Sequence, residues 1–474
     1  MEQEFERKLD YKLMLSIIAT GLMSFTGVVI ETAMNVTFPT LMQEFNIHLS
    51  TVQWITTGYL LVLAIVIPAS AYLKQRFYSR KLFLAANLTF FVGTALGYFS
   101  PSFAVLLIGR LLQGIGTGIA LPLMFNIVME QAPLDKIGMM MGAATLVVAM
   151  APAVGPSVGG MIVNDYGWRM IFLSLLPVIA FSLICGLTSI RQSSVLQKTT
   201  FPLASYLLLA AGFSCFLLAS SLAGSIGWTD SAVLGLFAVS LLLLTIFCRR
   251  SLQEASPLLH LETFSNQPFT LSVLSLLLLQ FICLGIGFFI PNFAQIVLGE
   301  NPFVAGCILL PGCLLGAFLA PVSGKLLDRF GARHPILLGC LFVLGSVCLF
   351  YLNINHATVA LLTSIYVIFT MGQGFTSGNI MVSGLSRLPQ NRRSDGNAIF
   401  NTLQQLAGAI GTAIIATVVS MPQADFPQDL AKATAKGSEN ACLLLCVLAV
   451  VLLGAMWKAT RSLTGSKKVA YNRR

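Results

Sequence analysis

The sequence predicts an all-α integral membrane protein with fourteen transmembrane helices, and three observations carry that expectation. Apolar runs of 18 or more residues recur along nearly the whole 474-residue chain, and roughly 20 residues of helix span the hydrocarbon core of a bilayer. Hydrophobic residues make up 56% of the chain and charged residues only 10%, where a soluble domain carries about 25% charged residues. The basic residues are also partitioned between alternate loops, as membrane topology requires.

In chain order the spans are expected at roughly 13–40, 51–73, 82–100, 103–130, 137–163, 168–190, 203–223, 230–248, 268–298, 302–323, 335–353, 357–385, 396–420 and 440–458. Of the 28 Lys and Arg residues, Lys432 and Lys436 fall in odd-numbered loops, and Arg110 and Arg169 lie within or at the edge of spans. The rest, including Lys74, Arg76, Arg80, Lys81, Arg191, Arg249, Arg250, Arg329, Arg392 and Arg393, occupy even-numbered loops and the termini. That bias places both termini in the cytoplasm of a multi-pass cell-membrane protein and makes the number of spans even. The net charge of +10 then faces the anionic inner leaflet, so membrane lipid rather than nucleic acid accounts for it.

MEQEFERKLDYK leads directly into a full-length span, so no cleavable signal peptide is expected. The ten cysteines lie in or beside apolar runs without a CxxC pair, and the four histidines make no metal spacing. Neither a disulfide framework nor a metal site is therefore expected. HExxH, GxxxxGK[ST] and GxSxG are absent, which removes the residues for ATP-driven pumping and hydrolysis. The expectation is a protein that is no enzyme and needs no cofactor.

Two charges lie inside spans. Glu31 sits in LMLSIIATGLMSFTGVVIETAMNVTFP, where Ser24, Glu31 and Asn35 share one helical face. A charged side chain at that depth costs about 2.5–3.5 kcal/mol on insertion scales and faces a cavity or a partner. It reads either as a polar group satisfied within a bundle or, the favoured reading, as a site that titrates with a proton or cation. Arg110 shares a face with Gln113 and Thr117 and needs acceptors wherever it is buried. It serves either as a fixed hydrogen-bond hub or as a charge that tunes Glu31, since burial favours a neutral carboxyl and a nearby cation a charged one.

An internal repeat is visible. PASAYLKQRFYSRKLFL (68–84) aligns ungapped with PVSGKLLDRFGARHPIL (321–337), and Gln113, Gly114 and Gly118 echo Gln373, Gly374 and Gly378. The copies lie more than half the chain apart, which an inserted helix pair explains. The expected domains are a six-helix bundle over 1–200, a two-helix hairpin over 201–255, and a second six-helix bundle with a basic tail over 256–474. Duplicated halves around a midplane site are a transporter architecture. The hairpin has no charge in its apolar cores and is expected to be peripheral.

These motifs resemble the major facilitator superfamily, and within it the fourteen-span drug:proton antiporters. The similarity rests on AYLKQRFYSRK after helix 2, RLLQGIGTG (110–118), GPSVGG (155–160), WRMIF (168–172) and ETAMNVTFP (31–39). It implies two pseudo-symmetric bundles, proton coupling at Glu31 and Arg110, and conformational roles for Arg76, Arg80, Gly155, Pro156, Gly159, Gly160, Asp328 and Arg329. Here Gln75 stands where the loop signature carries Asp, with Ala71 and Tyr78 for glycines; the second copy keeps Gly324, Asp328 and Gly331.

A binding cavity needs apolar walls with a few polar groups, and its candidates are Asn35, Trp54, Tyr59, Gln113, Gln280, Phe288, Asn292 and Gln295. Thirty-three Phe and 17 Met supply adaptable walls. The expected function is a monomeric secondary exporter, proton in and amphipathic, often cationic compound out. An exporter dedicated to one antibiotic, lipid or metabolite is the alternative, and a passive channel a further one. The membrane potential supplies about 2.3 kcal/mol per charge per 100 mV to such exchange.

Overall fold

The computed structural model describes residues 10–133, 137–192, 196, 201–254, 257–389, 392–424 and 429–471. Those residues form helices and turns and no strand, as expected where lipid offers backbone groups no partners. In order these are α1 (Tyr11–Met34), α2 (Phe38–Phe45), α3 (Leu49–Val52), α4 (Trp54–Arg76), α5 (Ser79–Tyr98), α6 (Phe103–Gln131), α7 (Ile137–Tyr166) and α8 (Arg169–Ser189). After them come α9 (Leu203–Ile226), α10 (Ser231–Gln253), α11 (Gln267–Ile296), α12 (Pro302–Cys307), α13 (Leu310–Phe330), α14 (Arg333–Asn353), α15 (Val359–Leu385), α16 (Arg393–Ser420) and α17 (Leu430–Tyr471).

Thirteen stretches among the described residues are long and apolar enough to cross a membrane. Four join shorter pieces: α1 runs through a 3-10 turn at Asn35–Thr37 into α2, α3 runs into α4, α12 runs into α13, and α14 runs into a 3-10 turn at Ile354–His356. Helix α7, 30 residues long, occupies the expected fifth span, and several of its side chains lie outside those described. Helix starts follow from loop residues that accept a first-turn amide: Asp10 from Leu13 at 2.8 Å, Asn301 from Val304 at 2.8 Å, and Asn266 from Phe269 at 3.1 Å.

Helix α1 packs on α6, α7 and α8, while α6 packs on α4 and α5. Helix α11 packs on α15, α16 and α17, and α15 on α13 and α14. Two seams join these sets: α4 lies on α16, and α7 lies on α12 and α13. Helix α9 pairs with α10 and also touches both α4 and α16.

The short connections fix which helix ends lie together. At the end holding the start of α1, Asp10 pairs with Arg191 at 2.8 Å, Gln131 donates to the Arg191 carbonyl at 3.2 Å, and Gln192 accepts the Ser79 amide at 2.8 Å. The Leu13 amide, and then Arg191, hold the Asp10 carboxyl below its ordinary value of 3.8. At the opposite end Glu44 accepts from the Trp168 indole at 2.6 Å and from Arg169 at 2.7 Å, while Arg169 also reaches the Ser100 carbonyl at 3.0 Å. The WRMIF motif therefore ties α8 to α2 and to the α5–α6 turn.

The two repeat copies turn differently. Gly331 closes α13 at φ 78°, a left-handed conformation that glycine adopts without strain. Its mate Tyr78 takes φ −58°, so losing that glycine from the first copy leaves no strained residue there.

Candidate functional site

Glu31 lies in the last turns of α1 with 6% of its surface exposed. Among the described residues its carboxyl makes no hydrogen bond and no ion pair. Glycines crowd its helix on two sides. A Cβ on Gly27 would stand 2.4 Å from the Thr117 hydroxyl of α6. On α7, a Cβ on Gly155 would meet the Thr32 hydroxyl at 2.0 Å, and one on Gly159 the Ala33 side chain at 2.7 Å. The first and fifth residues of GPSVGG thus press the turn next to Glu31, an approach that only small residues permit. The motif's other face meets α12. There the Pro156 carbonyl leaves no room for a side chain on Gly306, and the Pro302 carbonyl leaves none for one on Gly160.

Arg110 is fully buried in α6, and it does not pair with Glu31. Its Nε donates to the Ile55 carbonyl at 3.2 Å, its Nη1 donates to Gln113 Oε1 at 2.7 Å, and its Cζ lies 4.3 Å from the Tyr59 ring centroid. Gln113 in turn donates to Thr94 at 2.9 Å. The Nη2 of Arg110 is buried without a partner. Tyr59 donates to the Gly27 carbonyl at 2.9 Å, one turn before Glu31, so a tyrosine and a backbone carbonyl connect the fixed cation to the acid's helix. Arg110 and Glu31 remain within electrostatic reach of each other. The set comprises one acid with an open valence and one cation that cannot leave.

The remaining cavity candidates separate into two groups. Asn35 accepts from Thr56 at 2.9 Å, Trp54 donates to Ser221 of α9 at 2.7 Å, and Gln295 donates to the Val36 carbonyl at 2.9 Å. Phe288 packs on Phe38, ring centroids 5.6 Å apart, and Asn292 donates to the Phe288 carbonyl at 2.6 Å with its buried oxygen unpartnered. These five gather toward the end away from the start of α1, where Thr57 and Thr412 also bond across the α4–α16 seam at 3.0 Å. Gln280 lies deeper in α11 and accepts from Gln404 at 3.2 Å, while Tyr59 and Gln113 belong to the Arg110 network.

Among the loop-motif residues, Arg76, Arg80 and Arg329 are exposed, with Arg329 over the Phe330 ring at 5.3 Å. The Asp328 side chain lies outside those described. The ion pair of the first copy is Lys74 with Glu130 at the end of α6, a partner that its position just past an apolar span could have suggested. A Cβ added at Gly114, Gly312, Gly316 or Gly374 would come within 3.0 Å of a neighbouring helix, whereas one at Gly378 would meet nothing within 4 Å.

The hairpin is not peripheral throughout. Helix α10 is largely exposed, but α9 supplies consecutive serines to both sets of helices. Ser221 accepts from Trp54 of α4, and the Ser220 carbonyl accepts from Thr417 of α16 at 3.2 Å. An uncharged serine pair in an apolar run gave no sequence signal of that role.

Residues 17–412 match the family described as the Major Facilitator Superfamily. The chain is 36% identical to the lincomycin resistance protein LmrB of Listeria monocytogenes over 448 residues, covering 92% of this chain and 95% of that one. It is 34% identical to the Bacillus subtilis protein of the same name (96% and 98% covered). Identity is 27% to a multidrug resistance protein B homolog of Mycobacterium tuberculosis (88% and 78%). Among solved structures, an inward-facing, unoccupied bacterial homolog of the human lysosomal transporter Spinster superposes with TM-score 0.70 at 15% identity (96% and 98%). The peptide transporter POT in complex with sulfate gives 0.71 at 15% (97% of each chain). Helical spans, the paired seams and these matches agree: the chain belongs to the Major Facilitator Superfamily, and is a multi-pass membrane transporter, not an enzyme.

Proposed function

We propose that the protein is a proton-coupled exporter of amphipathic, often cationic drugs, working by alternating access as a monomer in the cell membrane. The observation that carries this reading is the buried Glu31 carboxyl, which has no partner among the described residues while Arg110 is held by other groups. A carboxyl so placed can take a proton or a cationic compound in turn. Relatives named for lincomycin and multidrug resistance support the cargo class.

The arrangement proposed is fourteen spans with both termini cytoplasmic, as two six-helix halves over 1–200 and 256–474 and an inserted hairpin over 201–255. Every described side-chain hydrogen bond joining α1–α8 to α11–α17 lies away from the start of α1. With cytoplasmic termini, these bonds lie on the outer side. The GPSVGG segment, wedged between α1 and α12, then serves as the joint that senses both Glu31 and the far seam.

A second reading is an exporter dedicated to one compound, favoured by the relatives named for lincomycin resistance alone. Efflux of lincomycin, ethidium and tetracycline from cells expressing the protein separates the two. Export of several unlike compounds, stopped by a protonophore, is the expected result. Flux unaffected by the protonophore would contradict proton coupling and favour a passive channel.

A further inference from the structure

The duplicated glutamines diverge. Gln113 of α6 is fully buried, its amide consumed by Arg110 and Thr94. Its repeat mate Gln373 of α15 stands in a set where the counterpart of Arg110 is Thr370, so it has no guanidinium to hold. Gln373 is partly exposed and donates to the Cys283 sulfur of α11 at 3.0 Å. Its Oε1 has no partner among the described residues. Cys283 is partly exposed too, and lies within electrostatic reach of both Glu31 and Cys313. Cys313 meets the Tyr366 hydroxyl at 3.3 Å. The described partners in this cluster of the second half are thus uncharged: an amide, two thiols and a phenol.

We propose that Gln373 and Cys283 form the substrate-recognising wall of the second half, facing Glu31, and that it selects amphipathic cations bearing hydroxyl or amide groups. Glu31 attracts the positive end, and the free Gln373 oxygen accepts a hydrogen bond from the uncharged polar part. A neutral, polarizable wall suits this task, because it binds without trapping the cation between two acids. The proposal rests on the exporter reading and adds the residues and the chemistry they select.

The test is alkylation of Cys283 by N-ethylmaleimide in membrane vesicles, with the other nine cysteines replaced by serine. Lincomycin carries an amine, an amide and several hydroxyls, and ethidium is a cation without hydroxyl or amide groups. Lincomycin is expected to slow the alkylation in a saturable manner. Gln373→Ala should raise its half-protecting concentration about 3- to 10-fold, the range for one lost neutral hydrogen bond, and leave that of ethidium within about twofold. In the native-cysteine protein, Gln373→Ala should likewise raise the half-saturating lincomycin concentration for export without changing the protons moved per drug. Export of lincomycin without protection of Cys283, or equal effects of Gln373→Ala on both compounds, would overturn the proposal alone. Absence of export for either compound would instead contradict the exporter reading beneath it.

Discussion

Arg110 stacks on Tyr59, with its guanidinium carbon 4.3 Å from the ring centroid, instead of pairing with Glu31. The arginine is thereby fixed to α4 through the Tyr59 ring and the Ile55 carbonyl, and the acid on α1 is left open. An ion pair in this dry setting would be hard to dismantle once per cycle, since breaking a buried pair costs about 3–5 kcal/mol. Holding the cation close but engaged elsewhere avoids that barrier.

Arg110→Lys keeps the charge but lacks the planar fork and the ring-stacking face. Either the Ile55 carbonyl or Gln113 Oε1 then stays unpaired, at about 1–3 kcal/mol. A lower Tm in detergent and a loss of gradient-driven drug accumulation are expected. Wild-type accumulation in the lysine variant would show that the fork has no role.

Gly27→Ala drives a methyl group into the Thr117 side chain, 2.4 Å from its hydroxyl. Such overpacking costs about 1–3 kcal/mol. Thr117→Ala removes the obstructing atoms, so the double variant should recover most of that loss in thermal unfolding. Simple additivity of the two changes would mean the helices do not approach as described.

Much of this site was legible in the chain. Glu31 and Arg110 stood out because charge in an apolar span is rare, and the Pro68 and Pro321 segments disclosed the duplication without any fold. What stayed hidden depends on register between distant helices. Thr57 meets Thr412 from 355 residues away, and neither residue type marks an interface. The expected peripheral hairpin failed at α9 for the same reason, as Ser220 and Ser221 acquire meaning only when α4 and α16 arrive on either side. Nor could spacing show that Gln113 is consumed while its mate Gln373 keeps an amide oxygen without a partner among the described residues. That difference follows from Arg110 standing where the other half has Thr370.

Ser221→Ala combined with Thr417→Val removes the hydrogen bonds that α9 makes to both seam helices. At about 1 kcal/mol for a bond, the pair should shift the balance toward the state opened at the far end by several-fold or more. Spin labels on the α2–α3 turn and on α12 would report it as a larger long-distance population. An unchanged distance distribution would make α9 a passenger.

Asp10 links the start of α1 to Arg191 at the end of α8. Its folded carboxyl titrates below the ordinary 3.8, so the link's contribution is complete above that pH and is lost as pH falls through the lower folded value. Amide exchange in the first turn of α1 should therefore rise on acidification below about pH 3.8. Asp10→Asn, which keeps a capping oxygen but no charge, should flatten that rise. The same acid response in both proteins would assign it to another group.

The most direct measurement is proton release on adding drug to purified protein, wild type against Glu31→Gln, with binding of the same drug followed in parallel. Wild type should release protons in proportion to drug bound, and Glu31→Gln should release none while remaining folded. Undiminished release from the glutamine variant would contradict the claim that this carboxyl carries the coupling proton.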